Sequence, residues 1–330
     1  MSIQKRVLVV GKDNVMKWGE TAYKFLPVEH KSLFVYNKSD LFSACIRLFG
    51  KKARNAYAAY LLKRRIISFK PDIILFVGGF ILPAELFEAA GNFPNIVKTA
   101  WVGDSWILKD KTEISRKINC LDVLFLAGTD FFDEAKESGF KGKMLYAPLC
   151  ANEEIFQKQN IPHDLPPFFV GVANEERHQF FEACETHCLI YGKGWDAERL
   201  KQHEVHNERL TMQEAQKFIC RSVAPVNINI TPNGKDGLNF RTFEISACGG
   251  LIITNPRKDL ALNYDIGKEA VVYENPQDFN KLIKDISDFP EKYEQIARRG
   301  YEHTMTEHTY VKRLRKMMMD LTGAENDFVS

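Results

Sequence analysis

No apolar run in the chain approaches the roughly 18 residues needed to span a bilayer. The amino terminus, MSIQKRVLVVG, runs straight into a strand pattern without the apolar core of a signal peptide. A cytoplasmic protein is therefore the expectation. Charge is also nearly absent as a global signal: the net value is +2 at pH 7, which creates no field for recruiting nucleic acid. The seven cysteines are odd in number and scattered, so they read as reduced thiols and not as a disulfide framework. Neither G-x-G-x-x-G nor G-x-x-x-x-G-K-[ST] occurs, which leaves dinucleotide-fingerprint and P-loop chemistry without support. No repeat of 20–50 residues and no low-complexity tract is visible. With 45% hydrophobic and 27% charged residues the chain is an ordinary globular one, and 330 residues suit two domains.

What the chain does have is alternation. RVLVVG (Arg6–Gly11), SLFVYN (Ser32–Asn37), PDIILFVGG (Pro71–Gly79), IVKTAWVGD (Ile96–Asp104), DVLFLAG (Asp122–Gly128) and GKMLYAPL (Gly142–Leu149) are short apolar runs separated by helical patterns. A long helical region over 41–69, with a break at Gly50, stands among them. Continuous apolar strands between helices predict a parallel sheet covered on both faces. Gln157–Pro167 carries three prolines and breaks both periodicities, so it is the expected linker. Alternation then restarts with PFFVGVA, a helix near Gln179–Thr186, CLIYGKGW, a helix near Thr211–Cys220 and APVNINIT. The stretch 233–255 then holds a short helix and a strand-like LIIT, EAVVYEN follows as a further strand, and the chain ends in charged helices. The expected fold class is α/β: two Rossmann-like domains, 1–156 and 168–308, with a carboxy-terminal helix over 309–330 packing back toward the first.

In open α/β sheets ligands bind beyond the carboxyl ends of strands. That rule singles out Gly11, Gly78-Gly79, Asp104, Gly128, Asn174–Arg177, Gly192–Trp195 and the stretch NGKDGLNFRTFEISACGGLIITN (Asn233–Asn255). Glycines such as Gly11 also end strands simply because turns need them. Asp104 stands between Trp101 and Trp106, a setting that suits a general base with a raised pKa, or a sugar ring stacked on indole. Its plainer role is to cap the following helix. Arg177 at a helix start opposes the helix dipole unless an anion occupies the site, so it points to phosphate; a surface arginine is the alternative. In the stretch 233–255, Asn239, Arg241 and Glu244 lie at the mouth of a helix. A helix amino terminus with Arg241 suits a diphosphate, and Glu244 suits the two hydroxyls of a ribose. Cys184, Cys188, His203 and His206 have roughly zinc-finger spacing, but the final His-x-x-His gap is too tight, and buried thiols are preferred.

The stretch 233–255, with IGKEAVVYENPQDFNKLIKDI and ARRGYEHTMTEHTYVKRLRKM after it, resembles the carboxy-terminal half of GT-B glycosyltransferases. The nearest branch is the spore-maturation, CgeB-like group. FFVGVANEERHQFF, LIYGKGW and APVNINIT appear in the family order, and the resemblance spans 168–317, with only WVGD and LYAPLCANEEIF matching in the first half. The resemblance implies two Rossmann-like domains facing a cleft, with a nucleotide-diphosphate sugar, UDP-hexose in the first instance, held by the second. Similar retaining enzymes carry an E-x7-E motif, which falls here on Asp236 and Glu244, so that its first member is one methylene shorter. Glu244 would then bind ribose, and Asp236 would approach the sugar. Of a companion Arg-x4-Lys clamp only Arg177 matches, since Glu182 stands in the lysine position; Arg241 is the substitute. Tyr191, Gly192, Lys193 and Trp195 would surround the base, with Asn229 and Gly11 also at the donor. No cofactor and no metal is expected. In an inverting reaction Asp104 would take the acceptor proton; in a retaining one it would only bind.

The acceptor is left open among cell-envelope glycan, lipid-linked, protein and small-molecule classes. Region 41–69 interleaves Arg47, Lys51, Lys52, Arg54, Lys63, Arg64 and Arg65 with Phe42, Phe49, Tyr57 and Tyr60, a pattern suited to an anionic lipid surface or to a solvated helix face. Rival functions are a sugar-nucleotide epimerase of the same architecture, a DNA-modifying glucosyltransferase and a nucleotide-binding scaffold without turnover. The DNA reading asks for a basic groove that a net charge of +2 does not advertise, so no nucleic-acid partner is expected.

Overall fold

The structure is a computed structural model and describes residues 4–12, 17–37, 50–106, 109–230 and 234–323. The chain divides into two compact units, Met1–Pro148 with Tyr310–Ser330, and Leu149–Thr309. Both are α/β units with all-parallel sheets, the architecture that alternating apolar runs require.

In the first unit β1 (Val7–Lys12), α1 (Trp18–Phe25), β2 (Lys31–Tyr36), α2 (Gly50–Phe69) and β3 (Ile73–Val77) lead into a short 3-10 turn over Gly79–Ile81. Then come α3 (Ala84–Gly91), β4 (Val97–Val102), α4 (Lys111–Ile118), β5 (Val123–Leu126), α5 (Phe131–Glu137) and β6 (Lys143–Tyr146). The strand order is β2-β1-β3-β4-β5-β6. The chain reverses direction across the sheet between β1 and β3, which makes their carboxyl ends the topological switch point. Gly11 sits there because α1 lies directly on β1. A Cβ on Gly11 would fall 2.7 Å from the Cα of Gly19, and one on Gly19 would fall 2.6 Å from the Cα of Gly11. Trp18 is buried beside this contact, edge-on to Trp101 at 5.0 Å between centroids. Of the long helical region expected over 41–69, α2 accounts for 50–69, and 41–49 lies outside the described residues.

The second unit runs through β7 (Phe168–Val170), α6 (Glu175–Glu182), β8 (Leu189–Tyr191), β9 (Glu204–His206), α7 (Met212–Arg221), β10 (Val226–Asn227) and α8 (Phe240–Ala247). It continues with β11 (Ile252–Thr254), α9 (Leu260–Asn263), β12 (Ala270–Val272), α10 (Pro276–Asp288) and α11 (Pro290–Glu307). The last helix, α12 (Tyr310–Thr322), belongs to the first unit, where Tyr310 stacks on Phe25 at 5.8 Å. Two three-stranded ladders, β7-β8-β9 and β10-β11-β12, are joined by an isolated parallel bridge between Phe168 and Pro225. The effective order is thus β9-β8-β7-β10-β11-β12, with the switch point between β7 and β10.

Two elements differ from the sequence reading. Helix α6 begins at Glu175, ahead of the expected Gln179, because Asn174 caps it by accepting from the Arg177 backbone N–H at 2.9 Å. Strand β9 was not expected: it is three residues, Glu-Val-His, on a sheet edge, too short and polar to mark itself by periodicity. Residues 157–167, the expected linker, hold contacts inside the second unit. Leu165 donates its N–H to the Arg221 carbonyl, and Gln157 accepts from the Gln216 side chain at 2.8 Å.

Candidate functional site

The carboxyl ends of β7, β10 and β11 are joined by a buried polar network that the apolar strands around it do not foreshadow. Asn227 ends β10 and Asn229 lies two residues beyond it, and both side chains reach Thr254 Oγ1. Asn227 Nδ2 donates to Thr242 Oγ1 at 3.0 Å, and its Oδ1 accepts from Asn239 Nδ2 at 2.9 Å. Asn229 Nδ2 donates to Thr254 Oγ1 at 2.9 Å, and its Oδ1 accepts from the Asn239 N–H at 3.1 Å. Asn255 closes the set with a reciprocal pair to the backbone of Asn229, at 2.8 and 2.9 Å. Tyr273 donates its hydroxyl to the Asn227 carbonyl at 2.9 Å. Ladder pairing therefore stops at Asn227, and side chains take over the backbone groups beyond it.

This network fixes the start of α8. Asn239 is its N-cap, accepting from the Thr242 N–H at 3.2 Å. Glu244 follows one turn later and is 4% exposed. Its Oε2 lies 2.8 Å from Arg241 Nη1, an ion pair between helix neighbours three residues apart. Burial pushes the Glu244 carboxyl above the usual carboxylate range, and Arg241 draws it partly back. Helix α8 ends at Gly249, whose φ of +77° favours glycine, so the Gly249-Gly250 pair is a turn and not a phosphate loop. The small residues behind Glu244 face a helix: Ser246 Oγ accepts from Thr304 Oγ1 of α11 at 2.8 Å.

Arg177 occupies the switch point itself. Its Nη1 donates to the Val172 carbonyl at 2.6 Å and its Nη2 to the Ile228 carbonyl at 2.9 Å, so one guanidinium ties the ends of β7 and β10. The group also lies over the Phe169 ring at 5.1 Å. Its pKa is lowered to about 10, chiefly by burial, with Glu176 opposing the shift and the repulsive charge of Arg241 adding to it. The cation at a helix start that suggested an anion thus meets two carbonyl dipoles, while its Nε has no hydrogen-bond partner. Glu182, in the position of the clamp lysine, pairs with Arg199.

The remaining candidates separate. Tyr191 is buried against His206, stacked at 4.3 Å, and against Phe218 at 4.9 Å. Trp195 is buried too and spends its indole N–H on the Gly171 carbonyl at 3.0 Å. Lys193 is exposed on the loop between them. Gly192 is required by close packing, since a Cβ there would lie 1.9 Å from the Gly171 carbonyl oxygen. His178, which the sequence reading passed over, braces this loop by accepting at Nε2 from the Asp196 N–H at 3.0 Å. Asp236 is half-buried in the segment before α8, with Lys258 Nζ 3.8 Å from its Oδ2.

In the first unit, Asp104 follows β4 as an exposed residue, and yet the surrounding protein withdraws enough water to push its carboxyl up; Lys109 pulls it down. The helix-capping alternative is corrected: Asp110 caps α4, accepting from Thr112 and Glu113 N–H groups at 2.8 and 3.1 Å. The sugar-stacking reading of Trp101 and Trp106 is corrected as well. Both are buried, their indole N–H groups donating to the Ala147 carbonyl and to Ser138 Oγ. Glu134 instead holds the Asp104 loop, accepting from Ser105 Oγ at 2.6 Å and the Trp106 N–H at 3.0 Å.

The zinc-like spacing does not produce a cluster. Cys184 and Cys188 are buried, and burial raises the Cys184 thiol to about 12. His203 has both ring nitrogens committed, Nε2 to the Phe181 carbonyl and Nδ1 to the Cys188 N–H. Among the described residues no three His, Cys, Asp or Glu side chains gather as a metal site.

Residues 174–319 match a family model described as Glycosyl transferase-like, a span that takes in α6, the asparagine network and α8. No curated protein sequence matches the chain. Among solved structures, Anabaena HepE in complex with UDP-glucose is similar at TM-score 0.71 and 8% identity, over 97% of this chain and 100% of that one. A glycosyltransferase from Rickettsia africae is similar at TM-score 0.71 and 10% identity, over 98% and 100%. A putative UDP-N-acetylglucosamine 2-epimerase from Listeria monocytogenes is similar at 0.61 and 11%, over 99% and 100%. The chain has the GT-B fold: two Rossmann-like α/β domains with parallel sheets and flanking helices.

Proposed function

We propose that the chain is a glycosyltransferase that moves a hexose from a nucleoside-diphosphate sugar, UDP-linked in the first instance, to a hydroxyl acceptor. The carrying observation is the Arg241–Glu244 pair in the first turns of α8, beside a second arginine close enough to repel it. Two cations and one buried carboxylate at a helix amino terminus leave a site short of negative charge, and a diphosphate supplies it. Glu244 takes the ribose hydroxyls, Asn239 and Asn229 hold the helix end in place, and Asp236 faces the sugar. The family match over the same residues supports the glycosyltransferase reading.

In the reaction the bond between the anomeric carbon and the diphosphate oxygen breaks, and the acceptor oxygen bonds to that carbon. The electron pair leaves with the nucleoside diphosphate, where Arg241, Arg177 and the helix end stabilise it without calling on a metal. In an inverting course Asp104 accepts the acceptor proton. The acceptor belongs to the glycan, lipid-linked, protein or small-molecule classes, met at the inner face of the cell membrane.

A panel of UDP-, GDP- and dTDP-sugars tests the reading by thermal shift, followed by product analysis. A raised melting temperature with slow release of free sugar and nucleoside diphosphate supports it. An epimerised sugar transfers the assignment to the epimerase reading, for which the Listeria structure is the precedent. Binding without product leaves a scaffold, and no shift with any donor overturns nucleotide-sugar binding.

A further inference from the structure

Helix α2 carries charge of one sign only. Over Gly50–Phe69 it holds Lys51, Lys52, Arg54, Lys63, Arg64 and Arg65 and no Asp or Glu. The whole chain is only +2, so the remainder outside this helix is net negative. Asn55, Ala58, Leu62 and Ile66 recur at helical spacing and are buried. The opposite row, Lys52, Ala56, Tyr60, Lys63, Arg64 and Ile67, is exposed.

This outer row is not merely a solvated face. Tyr60 is 54% exposed and Ile67 62% exposed, standing one turn to either side of Lys63 and Arg64. The Arg64 guanidinium lies 5.9 Å from the Tyr60 ring centroid, and Tyr57 stacks beside Tyr60 at 6.4 Å. Neither feature alone distinguishes this face, but a tyrosine and an isoleucine one turn to either side of two cations form a mixed row of charge and apolar surface. A bilayer surface uses both groups at once. Headgroup phosphates attract the cations, while tyrosine and isoleucine enter the boundary between headgroups and acyl chains. Long basic side chains reach upward from that depth to the phosphates. No helix among the described residues is long and apolar enough to cross the membrane, so the contact is made along the helix face.

We propose that the exposed face of α2 docks on an anionic lipid bilayer, with Lys52, Lys63 and Arg64 at the phosphates and Tyr60 and Ile67 at the acyl boundary. The contact is independent of donor binding at the second unit and weakens with salt.

The test is co-sedimentation of the full chain with vesicles of phosphatidylcholine alone, and with vesicles of phosphatidylcholine and phosphatidylglycerol in equal parts. Binding to the anionic vesicles only is expected. Each basic residue near such a surface contributes about fivefold in partitioning, so the double variant Lys63→Gln/Arg64→Gln should lose on the order of twentyfold. Tyr60→Ser/Ile67→Ser should weaken binding while leaving its dependence on phosphatidylglycerol. Both variants alter exposed side chains, and unchanged melting temperatures establish that they fold. Three results overturn the proposal: no sedimentation with anionic vesicles, equal sedimentation with neutral ones, or unaltered binding by the Lys63/Arg64 variant. Retention of single-stranded RNA through Lys63 and Arg64, with no vesicle binding, reassigns the face to nucleic acid and also overturns it.

Discussion

Arg241 Nη1 lies 2.8 Å from Glu244 Oε2, one helical turn away, with the Glu244 side chain 5% and the Arg241 side chain 21% exposed. The buried member cannot leave, whereas the arginine can turn outward. In the donor complex proposed above, ribose hydroxyls would take the place of Arg241 at Glu244.

Glu244→Gln separates stability from binding. A carboxyl whose folded pKa lies above its usual value near 4.5 contributes stability below that value, and loses it as pH rises through the folded pKa. The amide does not titrate, so the variant should melt higher than the parent at neutral pH, with the difference vanishing in acid. Loss of the charge-assisted hydrogen bond, about 1.5 to 3 kcal/mol, should weaken donor binding roughly tenfold to a hundredfold by calorimetry.

Arg177→Lys should destabilise the second unit although it keeps the charge. A lysine ammonium is a point donor and cannot span the Val172 and Ile228 carbonyls as the fork does. A loss of about 3 kcal/mol in urea unfolding is expected, from the weakened charged hydrogen bonds. Parental stability in the variant would show that the guanidinium is not a tie.

Asn239 combines a cap with a link to the asparagine network, and two substitutions divide these roles. Asn239→Ala removes both and should cost about 2 kcal/mol. Asn239→Asp keeps the acceptor for the Thr242 N–H but sets a carboxylate against Asn227 Oδ1. If the network positions α8, the aspartate variant also loses donor affinity; parental binding would leave Asn239 a cap alone.

Gly11→Ala should destabilise the first unit with no donor present, because its Cβ would sit 2.7 Å from the Cα of Gly19. Overpacking of this kind costs about 1 to 3 kcal/mol, read as a lower melting temperature of the unliganded protein.

Asp104→Asn tests the acceptor base. Loss of water to the surrounding protein raises this carboxyl, so the acid limb of the pH profile of donor turnover should lie above the usual aspartate value of 3.8. The asparagine variant should lose that limb and about a hundredfold to ten-thousandfold in rate. Equal rates in the two proteins would leave Asp104 without a catalytic role.

The central strands were legible because they are buried on both faces, and burial demands continuous apolar runs such as Ile73–Val77. Strand β9 was not, since an edge strand of three residues carries no periodicity. At the site, the polar front edge of α8 was visible as Asn239, Arg241 and Glu244. The signal for its support was also in the chain, as asparagines alternating in Val226–Ile230, but only one of them, Asn229, was read as a site residue. Tyr191, Trp195 and Gly11 illustrate the opposite limit, because aromatic residues and glycines at strand ends look the same whether they face a ligand or a core.

Local pattern thus determined that this chain would build two parallel α/β layers, since periodicity and burial are properties of adjacent residues. It also placed the polar edge of α8 and the one-signed charge of α2. Only the tertiary structure decided which polar groups are already committed: Arg177 to two carbonyls, His203 to two backbone groups, Asn239 to its network. Those partners lie between 3 and 51 residues away in sequence, and a buried donor takes whichever acceptor the fold delivers.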